Sequence, residues 1–167
     1  MAIPGATMSM RQKMWVAALA GGLLTAAGAS ARADSDSEKL ATAKAMIQAW
    51  NDLDWNQVYG LFAEDGVLQS MMIEPTVGRE AIKKRLQGLA KGLSRIQLQV
   101  RHIGVVDGVV FVERVDDFVY RGRHGAVPVV GVIEIDQGRI EAWREYYDRA
   151  QLLQAMGLKE DFHQATQ

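Results

Sequence analysis

The chain contains no cysteine at all. That excludes disulfides and thiolate metal sites, whatever the redox state of its destination. It has no HExxH, no glycine-rich phosphate loop and no Gly-x-Ser-x-Gly, so zinc peptidase, P-loop nucleotidase and serine hydrolase chemistry lack their usual carriers. Blocks of lysine or arginine are missing too, which argues against nucleic acid as a partner. Histidine occurs three times, at His102, His124 and His163. His102 falls on the apolar parity of its segment and reads as a core histidine, whereas His124 reads as a loop residue and His163 belongs to the tail. Repeats and low-complexity stretches are absent after residue 33.

What is present begins with an export signal. Arg11 and Lys13 precede an uncharged stretch, Met14 to Gly28, rich in alanine and glycine, and Ala31-Arg32-Ala33 supplies small residues around a cleavage point. This order is that of a secretory signal peptide cut before Asp34, with no twin arginine and no lipid-attachment cysteine. The expected product is exported, periplasmic or secreted, without stable membrane insertion. Those first 33 residues carry three basic residues and no acid, so residues 34–167 hold 16 basic and 20 acidic residues, a net charge of −4. A chain of 134 residues can bury a sizeable core as one domain.

Ser35 and Glu38 have capping-box spacing, and Leu40, Ala43, Ile47 and Trp50 follow at helical intervals. Asp54 with Gln57 opens a second, short helix, and Val67 to Met72 reads as a short strand ended near Pro75. Met46 and the pair Met71-Met72 read as soft core or pocket-lining residues. After Gly78, Ile82, Leu86, Leu89 and Leu93 recur at helical spacing. Residues 96–102 alternate apolar and polar, Asp107-Gly108 marks a hairpin, and Val109–Tyr120, Val127–Asp136 and Arg139–Tyr147 read as further strands. Arg121 to Gly125 reads as a loop, and a last helix runs from about Arg149 to Met156, closed by Gly157. Helices first and long hairpin-linked strands afterwards make an α+β order. The expected architecture is a strongly curved antiparallel or mixed sheet wrapped on the N-terminal helices as a cone with an internal pocket.

The informative anomaly is Glu113-Arg114-Val115-Asp116. Strand parity puts Val112, Arg114, Asp116 and Phe118 on one face and Phe111, Glu113, Val115 and Asp117 on the other. An arginine and a carboxylate side by side between apolar residues point to a functional pocket if that face is internal, and to a surface pair if it is not. Alternation leaves both open, because both faces mix apolar and charged residues. In the last strand Trp143, Glu145 and Tyr147 share a face. Two carboxylates near one arginine can hold different protonation states, which suits acid–base chemistry.

Glu113-Arg114-Val115-Asp116, then Pro128 to Glu134, then Gly138-Arg139-Ile140 running into Trp143-Arg144-Glu145-Tyr146-Tyr147-Asp148, resembles the limonene-1,2-epoxide hydrolase family. The wider relationship is to nuclear-transport-factor-2-like and SnoaL-like cone folds, which share runs such as Phe62-Ala63-Glu64-Asp65 and Gly78-Arg79-Glu80-Ala81-Ile82. The resemblance implies one-step hydrolysis of a small apolar epoxide without metal, cofactor or covalent intermediate. It implies that Arg114 orients two carboxyls, that Asp116 is the acid and that Glu145 is the base. It further implies a homodimer formed through the outer sheet face. The base is one methylene longer than the family's Asp, and the family's water-holding Tyr and Asn positions are Leu68 and Ser70 here. Asp148, on the opposite parity from Glu145, is a capping candidate for the last helix. Leu68, Ser70, Val112, Phe118, Trp143 and Tyr147 are the expected pocket lining. A non-enzymatic binder of an apolar molecule and a ketosteroid-isomerase-like enzyme are the competing readings.

Overall fold

The computed structural model describes residues 34–71 and 73–159. The expected signal peptide, Met72 and His163 lie outside the described residues. The first helix, α1 (Asp36–Asn51), starts on the expected capping box: Glu38 N–H donates to Ser35 Oγ, and Ser35 N–H donates to Glu38 Oε2 at 2.7 Å. Its Ala43, Met46, Ile47 and Trp50 are buried. Asp54 caps the second helix, α2 (Trp55–Leu61), by accepting from Gln57 N–H at 3.0 Å. Strands β1 (Phe62–Ser70) and β2 (Thr76–Val77) lead into α3 (Arg79–Ala90). Four long strands follow, β3 (Leu93–Val106), β4 (Val109–Tyr120), β5 (Arg123–Asp136) and β6 (Arg139–Tyr146), before α4 (Arg149–Met156).

The six strands form one mixed, curved, unclosed sheet in the order β2-β1-β6-β5-β4-β3. β1 runs parallel to β6, and every other pairing is antiparallel. The three hairpins turn on one device: Asp107-Gly108, Arg121-Gly122 and Gln137-Gly138 all have positive φ at both residues. That geometry matches the twist of the flanking strands, and glycine supplies its second position without steric cost. The α+β cone read from the element order is therefore the fold.

Several local expectations are corrected. The first strand begins at Phe62, five residues before Val67, and the chain leaves it at Met71. Its long-range parallel pairing with β6 recruits Phe62 opposite Ile140, and a register irregularity before Val67 absorbs Gly66. A Cβ there would stand 2.9 Å from the Ile140 carbonyl oxygen. His102 is not a core residue. A register shift between Val100 and His102 reverses the alternation of β3 and turns the imidazole outward, where Nδ1 lies 2.6 Å from Glu113 Oε2. His124 sits in β5 rather than in a loop, beside Asp117 on β4.

The core lies between the concave sheet face and the helices. Trp143 packs edge-on to Trp50 and stacked on Phe62, each at 6.3 Å between ring centroids. Fully burying side chains of this size stabilises by about 1.5–3 kcal/mol each or more. Met156, the last residue of α4, is also buried, and Gly157 ends that helix in the left-handed conformation.

Candidate active site

Burial along β4 decides what alternation left open. Val110, Val112, Arg114, Phe118 and Tyr120 are buried, while Phe111 and Glu113 are exposed. Arg114 and Asp116 therefore face the cone. The Arg114 side chain is 2% exposed, and those of Asp116 and Glu145 are 17% and 14% exposed. Arg114 Nε donates to Asp116 Oδ1 at 2.7 Å and Nη2 to Oδ2 at 3.1 Å, a side-on pair. The same Nη2 reaches Glu145 Oε1 at 2.9 Å and Oε2 at 2.8 Å. Arg114 thus bridges the two carboxyls, and its guanidinium carbon lies 5.6 Å from the Trp143 ring centroid.

The bridge crosses a strand. Arg114 is on β4 and Glu145 on β6, with β5 between them. What lets the guanidinium pass is Gly131, directly opposite Val112 on one side and Glu145 on the other. A Cβ at Gly131 would stand 2.8 Å from Arg114 Nη1, 3.0 Å from Trp143 Nε1 and 3.4 Å from Glu145 Oε1. Sequence reasoning missed this residue as part of the site, although it lies within Pro128 to Glu134. Its signal was a glycine set among Val127, Val129, Val130, Val132 and Ile133, which marks a close approach.

Electrostatics separates the members of the triad. Burial raises the proton affinity of Glu145 well above the usual carboxylate range; the Arg114 charge opposes this and the Asp116 charge adds to it. Burial alone would lower the Arg114 pKa, yet the charges of Glu145 and Asp116 and their hydrogen bonds raise it, so the guanidinium stays protonated. The Trp143 indole N–H is buried without a hydrogen bond of normal geometry, but stands close enough to Glu145 to ease its charge. With both carboxyls ionised the group would carry one net negative charge in a poorly solvated place. One proton makes it neutral, and a neutral triad is far cheaper to bury.

Around the triad the pocket wall is mostly apolar, with Leu98, Phe118, Val129, Leu152 and Met156 among its lining. Of the expected pocket residues, Leu68, Ser70, Phe118, Trp143 and Tyr147 line it. Val112 does not; it shares the inward face but lies in the close-packed core. Leu68 and Ser70 pair in register with Trp143 and Glu145 across the parallel β1–β6 edge. Arg85, from α3, also lines the pocket and was not legible as a site residue, because a basic residue on an amphipathic helix reads as a solvated face. Asp148 takes no part; it caps α4 by accepting from Gln151 N–H at 3.0 Å. Among the described residues no group of three or more His, Asp or Glu converges as a metal cage.

Known proteins share both the sequence and the shape. Epoxide hydrolase EphG of Mycobacterium tuberculosis is 26% identical over 105 residues, covering 63% of this chain and 70% of that one. A solved LEH-like epoxide hydrolase from M. tuberculosis superimposes with a TM-score of 0.65 at 22% identity, covering 72% of this chain and 90% of that one. A putative polyketide cyclase from Xanthomonas campestris pv. campestris does so with a TM-score of 0.66 at 21% identity, covering 72% and 98%. Likeness at such identities speaks for the fold and not for one chemistry. The family comparison is more specific: residues 37–157 match the limonene-1,2-epoxide hydrolase catalytic domain, and the chain belongs to that family.

Proposed function

We propose that the protein hydrolyses a small apolar epoxide to a diol in one acid–base step. The observation that carries this reading is the Arg114 bridge between Asp116 and Glu145 at the wall of an apolar pocket. Glu145 accepts a proton from water as the water oxygen attacks an epoxide carbon. The carbon–oxygen bond of the ring breaks, and Asp116, protonated, delivers its proton to the departing oxygen. The product is a diol, and the pair is left with its proton on Glu145. Return of that proton to Asp116, through solvent, resets the site.

Three features support the roles. One arginine between two carboxyls brings an acid and a base within reach of one substrate, the minimum for concerted acid–base work. Burial makes Glu145 a stronger proton acceptor than an exposed glutamate. Arg114, fixed by four hydrogen bonds, holds both groups without reorganising during the step.

The test is diol formation from a panel of terpene and styrene-type epoxides in oxygen-18 water. The expected outcome is one labelled oxygen per diol and a rate loss of roughly 100-fold or more in Asp116→Asn. Absence of diol from every epoxide, or full activity in Asp116→Asn, refutes the reading.

A second reading, proton abstraction from a ketosteroid- or polyketide-like substrate, is favoured by Leu68 in the wall beside Trp143 and by the likeness to a putative polyketide cyclase. Exchange at a substrate α-carbon without oxygen-18 uptake would select it. The proposal extends to a homodimer through the outer sheet face, where Phe111, Val130 and Tyr146 are exposed. It extends also to export, with Asp34 as the first residue of the mature chain; sedimentation and intact mass check these two.

A further inference from the structure

A base of this kind needs its water held, and the residue in register beside Trp143 cannot do so, since Leu68 offers no polar atom. We propose that Ser70 and Tyr147 hold the attacking water against Glu145, with Arg85 as the positioning residue that orients Ser70. This deepens the hydrolase reading and rests on it.

Three elements converge on the spot. Ser70 ends β1 and is the register partner of Glu145, and the chain is pinned there by Met71 N–H donating to the Glu145 carbonyl at 3.0 Å. Tyr147 follows Glu145 by two residues and lines the same pocket. Arg85 comes from α3, where its Nη1 donates to Thr76 Oγ1 at 2.8 Å and its Nη2 to Ser70 Oγ at 3.1 Å. Ser70 is 7% exposed, so the geometry of its hydroxyl is set by these neighbours and not by bulk solvent.

Hydrogen counting then fixes what the cluster can offer. A guanidinium only donates, so it occupies a lone pair of Ser70 Oγ and turns that hydroxyl's hydrogen away from α3. The Tyr147 phenol lies close enough to Ser70 for the serine hydroxyl to ease its ionisation. Two hydroxyls carry two hydrogens, and at most one can be used between them. The other is left for a third oxygen, whichever way the pair is oriented. Burial and the nearby Glu145 charge both keep the Tyr147 phenol protonated, so its hydrogen is not lost at working pH. Among the described residues neither hydroxyl bonds to Glu145 directly. A water between them accepts the spare hydrogen and gives one of its own to Glu145, which leaves a lone pair for the epoxide carbon. The seat is thus built from β1, β6 and α3, with no contribution from Leu68.

The experiment is steady-state hydrolysis of racemic styrene oxide by wild type, Tyr147→Phe, Ser70→Ala, the double variant, Arg85→Lys and Arg85→Met. Binding of 1-phenyl-1,2-ethanediol is followed in parallel by tryptophan fluorescence. Each single hydroxyl loss is expected to lower kcat by roughly 10- to 100-fold, with KM and diol affinity within about threefold. The double variant is expected to be worse than either single one, because it alone leaves no hydroxyl hydrogen for the water. Arg85→Lys is expected to recover part of the kcat that Arg85→Met loses, which a purely packing role would not produce. An active wild type with undiminished kcat in Tyr147→Phe and Ser70→Ala overturns this proposal alone. So does a loss confined to KM and diol affinity. A wild type that opens neither styrene oxide nor any other epoxide overturns the hydrolase reading, and this proposal falls with it.

Discussion

Replacing Gly131 by alanine tests the geometry of the site without changing any charged residue. The added methyl would stand 2.8 Å from Arg114 Nη1 and 3.0 Å from Trp143 Nε1. Comfortable carbon–nitrogen contact begins near ~3.5 Å, so the guanidinium must withdraw by roughly 0.7 Å. Arg114 is tied by hydrogen bonds of 2.7–3.1 Å to two carboxyls, and a displacement of that size breaks at least one or drags a carboxyl along. Overpacking of this kind costs about 1–3 kcal/mol of stability, a fall of several degrees in Tm. Misplacing reacting groups by about an ångström costs ~100-fold in rate, so a loss of roughly 10- to 100-fold in kcat is expected. Initial rates of diol formation and thermal melts measure both. The control is Gly104→Ala on β3, where an added Cβ meets nothing within 4 Å. If Gly131→Ala keeps the rate and melting temperature of Gly104→Ala, the close approach across β5 does not govern the site and the reasoning fails.

Glu145→Gln addresses the same triad through pH. The folded-state pKa of Glu145 is raised by burial, so the stability linked to its protonated form is present below the unfolded value of about 4.3 and lost as pH rises through the raised folded value. Thermal melts between pH 4 and 8 should show wild type losing stability relative to Glu145→Gln as pH rises; parallel curves would refute the assignment. Under the proposed mechanism the acid limb of the rate profile is expected above the ordinary carboxylate range, since Glu145 must be ionised to take the water's proton; a limb near pH 4 would contradict it. Asp148→Ala should cost about 1 kcal/mol by uncapping α4 while kcat stays within about twofold; loss of all turnover would make Asp148, and not Glu145, the base.

The caps at Ser35, Asp54 and Asp148 were legible because capping is settled within three residues of chain. The Arg114–Asp116 pair was legible as a pair, since two residues of one parity must be neighbours. Which face it occupied was not, because Val115 and Phe111 make the outer parity of β4 as apolar as the inner. His102 was misplaced for a related reason: one extra residue in β3 reverses the alternation, and nothing local announces it. The early start of β1 depended on a parallel partner some 75 residues away. Arg85 was illegible because it looks like an ordinary helix surface, whereas Gly131 carried a signal but nothing local said which side chain would cross it. What the family resemblance supplied was Glu145 as the third member; the bridge itself came from the packing of β4, β5 and β6.

The crossing of β5 by Arg114 has a consequence for how the site tolerates change. Both carboxyls meet at one nitrogen, Nη2, of a rigid, planar cation, so their separation is gauged by the bonds at that nitrogen and not by the spacing of the strands that carry them. A longer side chain at position 145 need not alter that gauge; it can fold back until its oxygens meet the same nitrogen. The extra methylene at position 145 is then absorbed within the side chain. The dimension to guard is the flatness and freedom of the passage over Gly131.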